Sequence, residues 1–315
     1  MSGPVVEQRA EDALAETVAV VVVTYNRAEL LAGCLDALAA LTRHPDAVFV
    51  VDNASTDGTP ALLEARTDLP LHVLRSEENL GGAGGFHRGV GAAYDAGYDR
   101  IWLMDDDVAP RPHCLTVLMD HPGAALMAVR EDTSGGLCEK AATSFDLRNP
   151  WAIRPKREMV EDRYASRAAM PESVTLENVA FEGFMVHRSV VEAVGLPDPG
   201  FFIFYDDVDY ALRIRRAGIP ILGLRDAVLV RQLDFDQQHD MRSWKGYYMY
   251  RNLFVVHLRY GENLLVRVKP YLIALAVTVL SVLRLRWDEA GNVLRAIRDA
   301  PGVASDVPGI EHDLP

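Results

Sequence analysis

The chain is short of cysteine, of net positive charge and of long uncharged runs, and each shortage removes a class of function. Its three cysteines, Cys34, Cys114 and Cys138, stand far apart in no CxxC or Cys/His spacing. That pattern suggests neither a disulfide framework nor a zinc site, and the three read as packing residues in a reducing compartment. The 45 acidic against 32 basic residues leave a formal charge of −13. This is the wrong sign for a phosphate backbone, so no nucleic acid is expected as a partner. Residues 1–16 lack the basic start and apolar core of a signal peptide and read as a frayed tail, so a cytoplasmic location is expected. Tyr271 to Leu283 runs 13 residues without a charge, short of the roughly 18 that span a bilayer. Arg267, Lys269, Arg284 and Arg286 border that run, with Trp287 beyond. Such a local reversal of charge suits a helix lying on an anionic lipid surface. A buried C-terminal helix with solvated basic ends would give the same pattern.

What the chain does have is apolar runs that stop on polar clusters. Val18 to Val23 reads as a fully buried parallel strand ending in Thr24-Tyr25-Asn26-Arg27, and a helix with apolar positions at 3.6 spacing follows. Ala47 to Val51 ends in Asp52-Asn53-Ala54-Ser55-Thr56-Asp57-Gly58-Thr59. Leu71 to Leu74 precedes Asn79-Leu80-Gly81-Gly82-Ala83-Gly84-Gly85-Phe86 and another helix, and Ile101 to Met104 stops on Asp105-Asp106-Asp107. Four strand-then-helix units specify an α/β fold, a mostly parallel sheet flanked by helices, with a ligand crevice at the C-terminal ends of its strands. The rhythm fades after residue 130. Residues 131–177 show no period, Val179 to His187 reads as a strand, Ile221 to Val230 as the last strand, and Trp244 to Tyr260 as an amphipathic helix.

Two acid clusters end apolar runs about a hundred residues apart. In an extended chain Asp105 and Asp107 point to one side, about 6 to 7 Å apart. Mg²⁺ or Mn²⁺ resolves the repulsion of such a pair; a solvated acidic turn is the plainer reading. The second cluster, Asp206-Asp207-Val208-Asp209, opens a helix carrying Arg213, Arg215 and Arg216. A metal-binding pair and a separate general base are what group transfer from an activated phosphate ester requires. Helix capping explains Asp206 and Asp207 without any chemistry. The stretch Gly82-Ala83-Gly84-Gly85-Phe86-His87 lacks the third glycine of GxGxxG. Its glycines instead let a helix start close against the sheet or against a diphosphate.

Val22-Val23-Thr24-Tyr25-Asn26-Arg27, the string Val51 to Thr59, Asn79-Leu80-Gly81-Gly82, Asp105 to Asp107 and Tyr205-Asp206-Asp207-Val208-Asp209-Tyr210-Ala211-Leu212-Arg213, in that order, resemble the inverting glycosyltransferases of family 2. Asn79 to Phe86, the triple acid and the string Trp244 to Asn252 are most similar to actinobacterial galactofuranosyltransferases of cell-wall galactan synthesis; rhamnosyltransferases share much of the pattern. The resemblance implies a GT-A fold over residues 17–260, with a nucleotide-binding half over 17–130 and an acceptor half over 131–260. Residues 261–315 then form a C-terminal helical region.

The resemblance also implies roles. Thr24, Tyr25, Asn26, Arg27 and Asp52 hold the uridine; helix capping is the plainer reading of Asp52 and Asn53. Asn79 reaches the donor, and Arg88 neutralises phosphate. Asp105 and Asp107 bind Mn²⁺ or Mg²⁺, and Asp106 supports the ribose or the sugar. Asp207 is the base and Asp206 orients hydroxyls, while Asp209 pairs with the nearby arginines. Trp244 and Tyr248 stack on acceptor sugar or pack in the core. The histidine that usually completes the metal shell is replaced by Gln232, so Gln232, His239 or water is the remaining ligand. The implied partners are UDP-galactofuranose, a polyprenyl-linked glycan acceptor and the inner face of the plasma membrane. A non-catalytic sugar-nucleotide-binding protein remains the alternative from another class.

Overall fold

The computed structural model describes residues 16–152, 154–233 and 240–306. The expected N-terminal tail, apart from Glu16, lies outside them, as does His239. The first half runs β1 (Val18–Thr24), α1 (Ala28–Ala39), β2 (Ala47–Asp52), α2 (Thr59–Ala65), β3 (Leu71–Arg75), α3 (Gly81–Asp95) and β4 (Arg100–Asp105). Alternation in β1 sends Ala19, Val21 and Val23 to one face and Val18, Val20 and Val22 to the other, and both faces are covered. On one side lie Leu31, Cys34, Leu35 and Leu38 of α1; on the other lie Phe86, Val90 and Ala93 of α3. Two-sided burial is why these strands read as unbroken apolar runs. The glycines of α3 serve the sheet contact, since a Cβ on Gly85 would come within 2.5 Å of Val23 and one on Gly89 within 2.4 Å of Val21.

The second half continues with β5 (Val108–Pro110), α4 (Cys114–Asp120), β6 (Ala125–Glu131), β7 (Ala142–Phe145), β8 (Lys156–Met159), α5 (Val160–Arg163), β9 (Ser173–Leu176), β10 (Phe184–His187), α6 (Arg188–Val194), α7 (Asp206–Arg216) and β11 (Ile221–Arg231). The nine-stranded sheet has the order β3-β2-β1-β4-β10-β6-β11-β5, with β9 also on β11. Residues 131–177 are thus not irregular: they hold the β7–β8 hairpin and β9, whose four-residue strands are too short to show a period. The strand expected over Val179 to His187 begins only at Phe184, because Gly183 takes a left-handed φ of 101°. β10 runs antiparallel to β4, with Phe184 opposite Leu103. Its start therefore lies beside the end of β4.

The described residues end in three helices, α8 (Trp244–Tyr260), α9 (Leu264–Leu283) and α10 (Trp287–Ser305). Buried Asp209 ties α7 to α8, accepting from Arg213 Nε at 2.9 Å, Arg259 Nη1 at 2.8 Å and Tyr260 Oη at 2.5 Å. The expected arginine pairing of Asp209 is what the structure contains. The helix behind the 13-residue uncharged run is longer than that run, because it begins at Leu264 and takes in Arg267 and Lys269. By length and composition alone it could cross a membrane. Val266, Pro270, Ala274 and Ser281 face the protein, whereas Leu264, Leu265, Val268, Leu272, Leu275 and Val279 are exposed. α9 is therefore not a fully buried helix.

Candidate active site

A cleft of about 490 Å³ opens where β1 and β4 end and is closed from the opposite side by residues 202–207. Pairing of Val23 with Asp105 and of Thr24 with Asp52 puts the polar ends of β1, β2 and β4 on one edge. The acids do not continue the strand: β4 stops at Asp105, and Asp106 and Asp107 form a turn into β5. All three still line the cleft. Asp106 accepts from Thr24 Oγ1 at 2.7 Å and from Arg27 Nη1 at 3.1 Å, and Arg27 also lies 3.4 Å from Asp107. Burial, then the facing carboxylates of Asp107, Glu182, Asp106 and Asp206, holds the Asp105 carboxyl well above the usual range. Burial, then Glu182, raises Asp107 against the pull of Arg27 and Arg231. Asp107 Oδ1 is buried with no hydrogen-bond partner among the described residues.

The second cluster is presented by an unusual backbone. Phe202, Phe204 and Tyr205 all have positive φ, a conformation costing roughly 1 to 3 kcal/mol per non-glycine residue. Asn252 Nδ2 answers that cost by donating toward the carbonyls of Phe201, Ile203 and Phe204 at 2.8 to 3.0 Å. Arg251 Nη2 donates to Gly200 and Phe201, and Arg251 Nε fixes Asn252 Oδ1 at 2.8 Å. On the other side Gly81, with φ 71°, lets α3 start against this loop; a Cβ there would fall 2.0 Å from the Phe202 carbonyl. The result places Asp206 and Asp207 at the first turn of α7, facing Asp105 to Asp107 across the cleft. Burial, then Asp207, keeps the Asp206 carboxyl well above its ordinary range. Asp207, whose Oδ1 accepts from the Val208 amide at 2.7 Å, is pushed up to about 6 by burial and pulled down by the Lys156 ammonium on β8.

Asn252→Ala is expected to destabilise the fold by about 2 to 3 kcal/mol, since the carbonyls it serves lose a common donor. Urea denaturation checks this, and wild-type stability would contradict the bracing role.

The structure brings Thr24, Tyr25, Arg27, Asn79, Asp105, Asp106, Asp107, Asp206, Asp207 and Trp244 around one cleft. Five other expected residues stand elsewhere. Asn26 accepts from the Thr56 amide at 2.7 Å and braces the β2–α2 loop. Asp52 caps the Ser55 amide at 2.8 Å, and its neighbour Asn53 takes its place at the cleft. Arg88 donates to Arg75 O and Ser76 Oγ, each at 2.9 Å, which secures the end of β3 instead of reaching the cleft. Tyr248 stacks on Phe202 with centroids 4.8 Å apart, behind the half-exposed Trp244. Gln232 is turned away from the cleft: alternation along β11 gives the cleft face to Arg231, and the Gln232 amide points to Leu30 O at 3.3 Å and against Gly33. It is not positioned as a metal ligand.

Sequence reasoning missed Glu182, which antiparallel β10 delivers to the end of β4, where the Gly183 amide donates to Leu103 O at 2.8 Å. Buried Arg130 binds Glu182 and holds Glu139 through Nε at 3.1 Å and Nη2 at 2.8 Å. Lys156 was missed as well, being on a strand too short to read. Arg251 and Asn252 were visible only as part of the Trp244 to Asn252 string.

Residues 19–125 match the family described as Glycosyl transferase family 2. A curated relative, galactofuranosyltransferase GlfT1 of Mycolicibacterium smegmatis, is 36% identical over 212 residues, 65% of this chain and 67% of that one. Its namesake from Mycobacterium tuberculosis is 31% identical over 252 residues, covering 76% and 81%. The chain belongs to glycosyl transferase family 2. It is therefore an enzyme, a glycosyltransferase, and the non-catalytic alternative falls away. An N-acetylglucosaminyl-diphospho-decaprenol L-rhamnosyltransferase of M. tuberculosis is also similar, at 26% identity over 65% of this transferase and 72% of that one. Among solved structures, a mannosyltransferase from Pyrobaculum calidifontis in complex with GDP-Man and Mn²⁺ superposes with a TM-score of 0.54 at 18% identity, covering 94% of each chain. The fold of the transferase is GT-A.

Proposed function

We propose that this transferase moves galactofuranose from UDP-galactofuranose to a lipid-linked glycan, with inversion and with help from a divalent cation. One observation carries the reading: two carboxylate groups, Asp105 to Asp107 and Asp206 to Asp207, face each other across a single cleft in a chain 36% identical to a galactofuranosyltransferase.

The donor set fits a hard cation in three respects: its oxygen-only chemistry, its crowded carboxylates and an Asp107 Oδ1 without a hydrogen-bond partner among the described residues. Among the described residues no three His, Cys, Asp or Glu side chains converge as a complete shell. Asp105 and Asp107 would therefore hold Mn²⁺ or Mg²⁺ together with donor diphosphate oxygens and water, an arrangement common for Mg²⁺. The bound cation supplies charge neutralisation for the departing UDP. Tyr25 and Asn53 flank the base and ribose, and Thr24 and Arg27 fix Asp106. Asp207 accepts the proton of the acceptor hydroxyl, whose oxygen bonds to the anomeric carbon as the bond from that carbon to the diphosphate oxygen breaks. Asp206 orients acceptor hydroxyls, and Trp244 offers an aromatic face for a sugar ring. The basic ends and exposed face of α9 would rest on the inner leaflet, where polyprenyl-linked acceptors reside.

The similar rhamnosyltransferase favours a second reading, the same site with a nucleotide-rhamnose donor. Incubation with each donor and a polyprenyl-linked acceptor fraction, reading nucleotide release, separates them. UDP-galactofuranose is expected to be consumed at least about tenfold faster than the rhamnose donor, a gap of about 1.4 kcal/mol in barrier. The reverse preference would overturn the donor assignment and leave the cleft chemistry in place.

A further inference from the structure

Two segments depart from the acidic character of the chain. Residues 147–157 carry Arg148, Arg154, Lys156 and Arg157 with no carboxylate, and residues 263–287 carry Arg267, Lys269, Arg284 and Arg286, again with none. They are distant in sequence and joined in space. The Glu262 amide donates to Leu147 O at 3.1 Å, Asn263 Nδ2 to Arg148 O at 2.7 Å, and the buried Lys269 ammonium to Ala152 O. Trp151 stands at this seam with 88% of its surface exposed, beside the start of α9 where Leu264 and Leu265 are 74% and 65% exposed. Arg154, Arg157 and Arg267 are exposed and form no ion pair among the described residues. The exposed positions of α9, Leu264, Val268, Leu272, Leu275 and Val279, recur at helical spacing. Together the two segments bring Trp151, the exposed leucines of α9 and the exposed Arg154, Arg157 and Arg267 to one seam, where Arg148 is paired with Glu262 and Lys269 is buried. An indole beside cations at the edge of an apolar strip is the composition of a bilayer interface.

We propose that Trp151, Arg154 and Arg157 extend the exposed face of α9 into one docking surface for an anionic bilayer, and that this surface sets the acceptor side of the cleft against the membrane. The inference rests on the lipid-linked acceptor named above. Charge complementarity selects the occupant: a second copy would bring the same cations to the contact, whereas anionic headgroups oppose them. A bilayer-spanning course for α9 conflicts with its inner face, which packs on α8 and α10 while Lys269 holds the Trp151 loop. The loop also leads straight into the site. It continues as β8, whose Lys156 acts on Asp207, and Arg154 acts on Tyr205, the residue before Asp206. A membrane at Trp151 therefore lies a few residues along the chain from the Lys156 ammonium that acts on Asp207.

The test is flotation of the full chain with phosphatidylcholine vesicles, with and without phosphatidylglycerol. Wild type is expected to float with the anionic vesicles only. Trp151→Ala and Arg157→Glu should each weaken that binding about tenfold, with UDP affinity and melting temperature unchanged; neither residue lines the cleft. Leu272→Glu/Leu275→Glu should abolish it. If the loop variants float like wild type while the α9 variant does not, Trp151 lies outside the surface and the inference fails, although the reading of α9 stands. A wild-type dimer dissolved by the α9 variant, with no flotation, would make a second copy the occupant and overturn it. Resistance to alkaline carbonate would do so in favour of a spanning helix. A chain that docks through Trp151 yet consumes no UDP-galactofuranose overturns the donor reading alone.

Discussion

Asp207→Asn is expected to lower turnover about 10³-fold and to leave UDP affinity within about twofold, the signature of a general base that acts only as the bond forms. The side chain has the right surroundings. It sits at the first turn of α7, half-buried beside Lys156, its carboxyl near 6, so that it is ionised at neutral pH yet basic enough to take a proton in the transition state. The loop that carries it is braced by Asn252, Arg251 and Gly81, so the substitution should not disturb its position. If Asp207 were only a helix cap, the asparagine, an equally good cap, would change nothing. Transfer by the variant at the wild-type rate would leave the base unassigned.

Asp107→Ala should remove the cation dependence of UDP binding and reduce transfer at least about 10²-fold, since a cation held by two carboxylates and a diphosphate does not survive the loss of one carboxylate. In the wild type, Mn²⁺ is expected to tighten UDP by about tenfold or more. Arg27 keeps its partner Asp106 in the variant, so the edge of the cleft should remain folded. Calorimetric titration of UDP with Mn²⁺ and with chelator checks this. Equal wild-type affinity in both would remove the cation from the account.

Most of the first half was legible because β1, β2 and β4 are buried on both faces. Val18 to Val23 and Ile101 to Met104 could only be central strands, and the polar residues after them had to meet on one edge. Legibility ended where tertiary pairing overrode local pattern. β7, β8 and β9 are four residues each and owe their existence to their neighbours. Glu182 reached the cleft because β10 runs antiparallel to β4, a direction that no local signal encodes. Gln232 stands where the resemblance implies a metal-ligating histidine, and the alternation that gives Arg231 to the cleft turns the Gln232 side chain toward Leu30 O. Arg88 carried the charge expected of a phosphate ligand, but its reach is taken up by the end of β3. α9 is longer than its uncharged run because Lys269 lies within the helix, its ammonium engaged with Ala152.

The pH dependence of UDP release, followed from about pH 5 to about pH 8 in wild type and in Asp207→Asn, tests the central claim most directly. A base must be deprotonated to act, so the wild-type rate should fall as pH drops through about 6. Asp106, held up to about 6 by burial, titrates in the same range, so the limb by itself does not name the residue. The account predicts that the variant's residual rate loses the Asp207 part of that limb along with most of its magnitude. An unchanged acid limb at an unchanged rate in Asp207→Asn would contradict it.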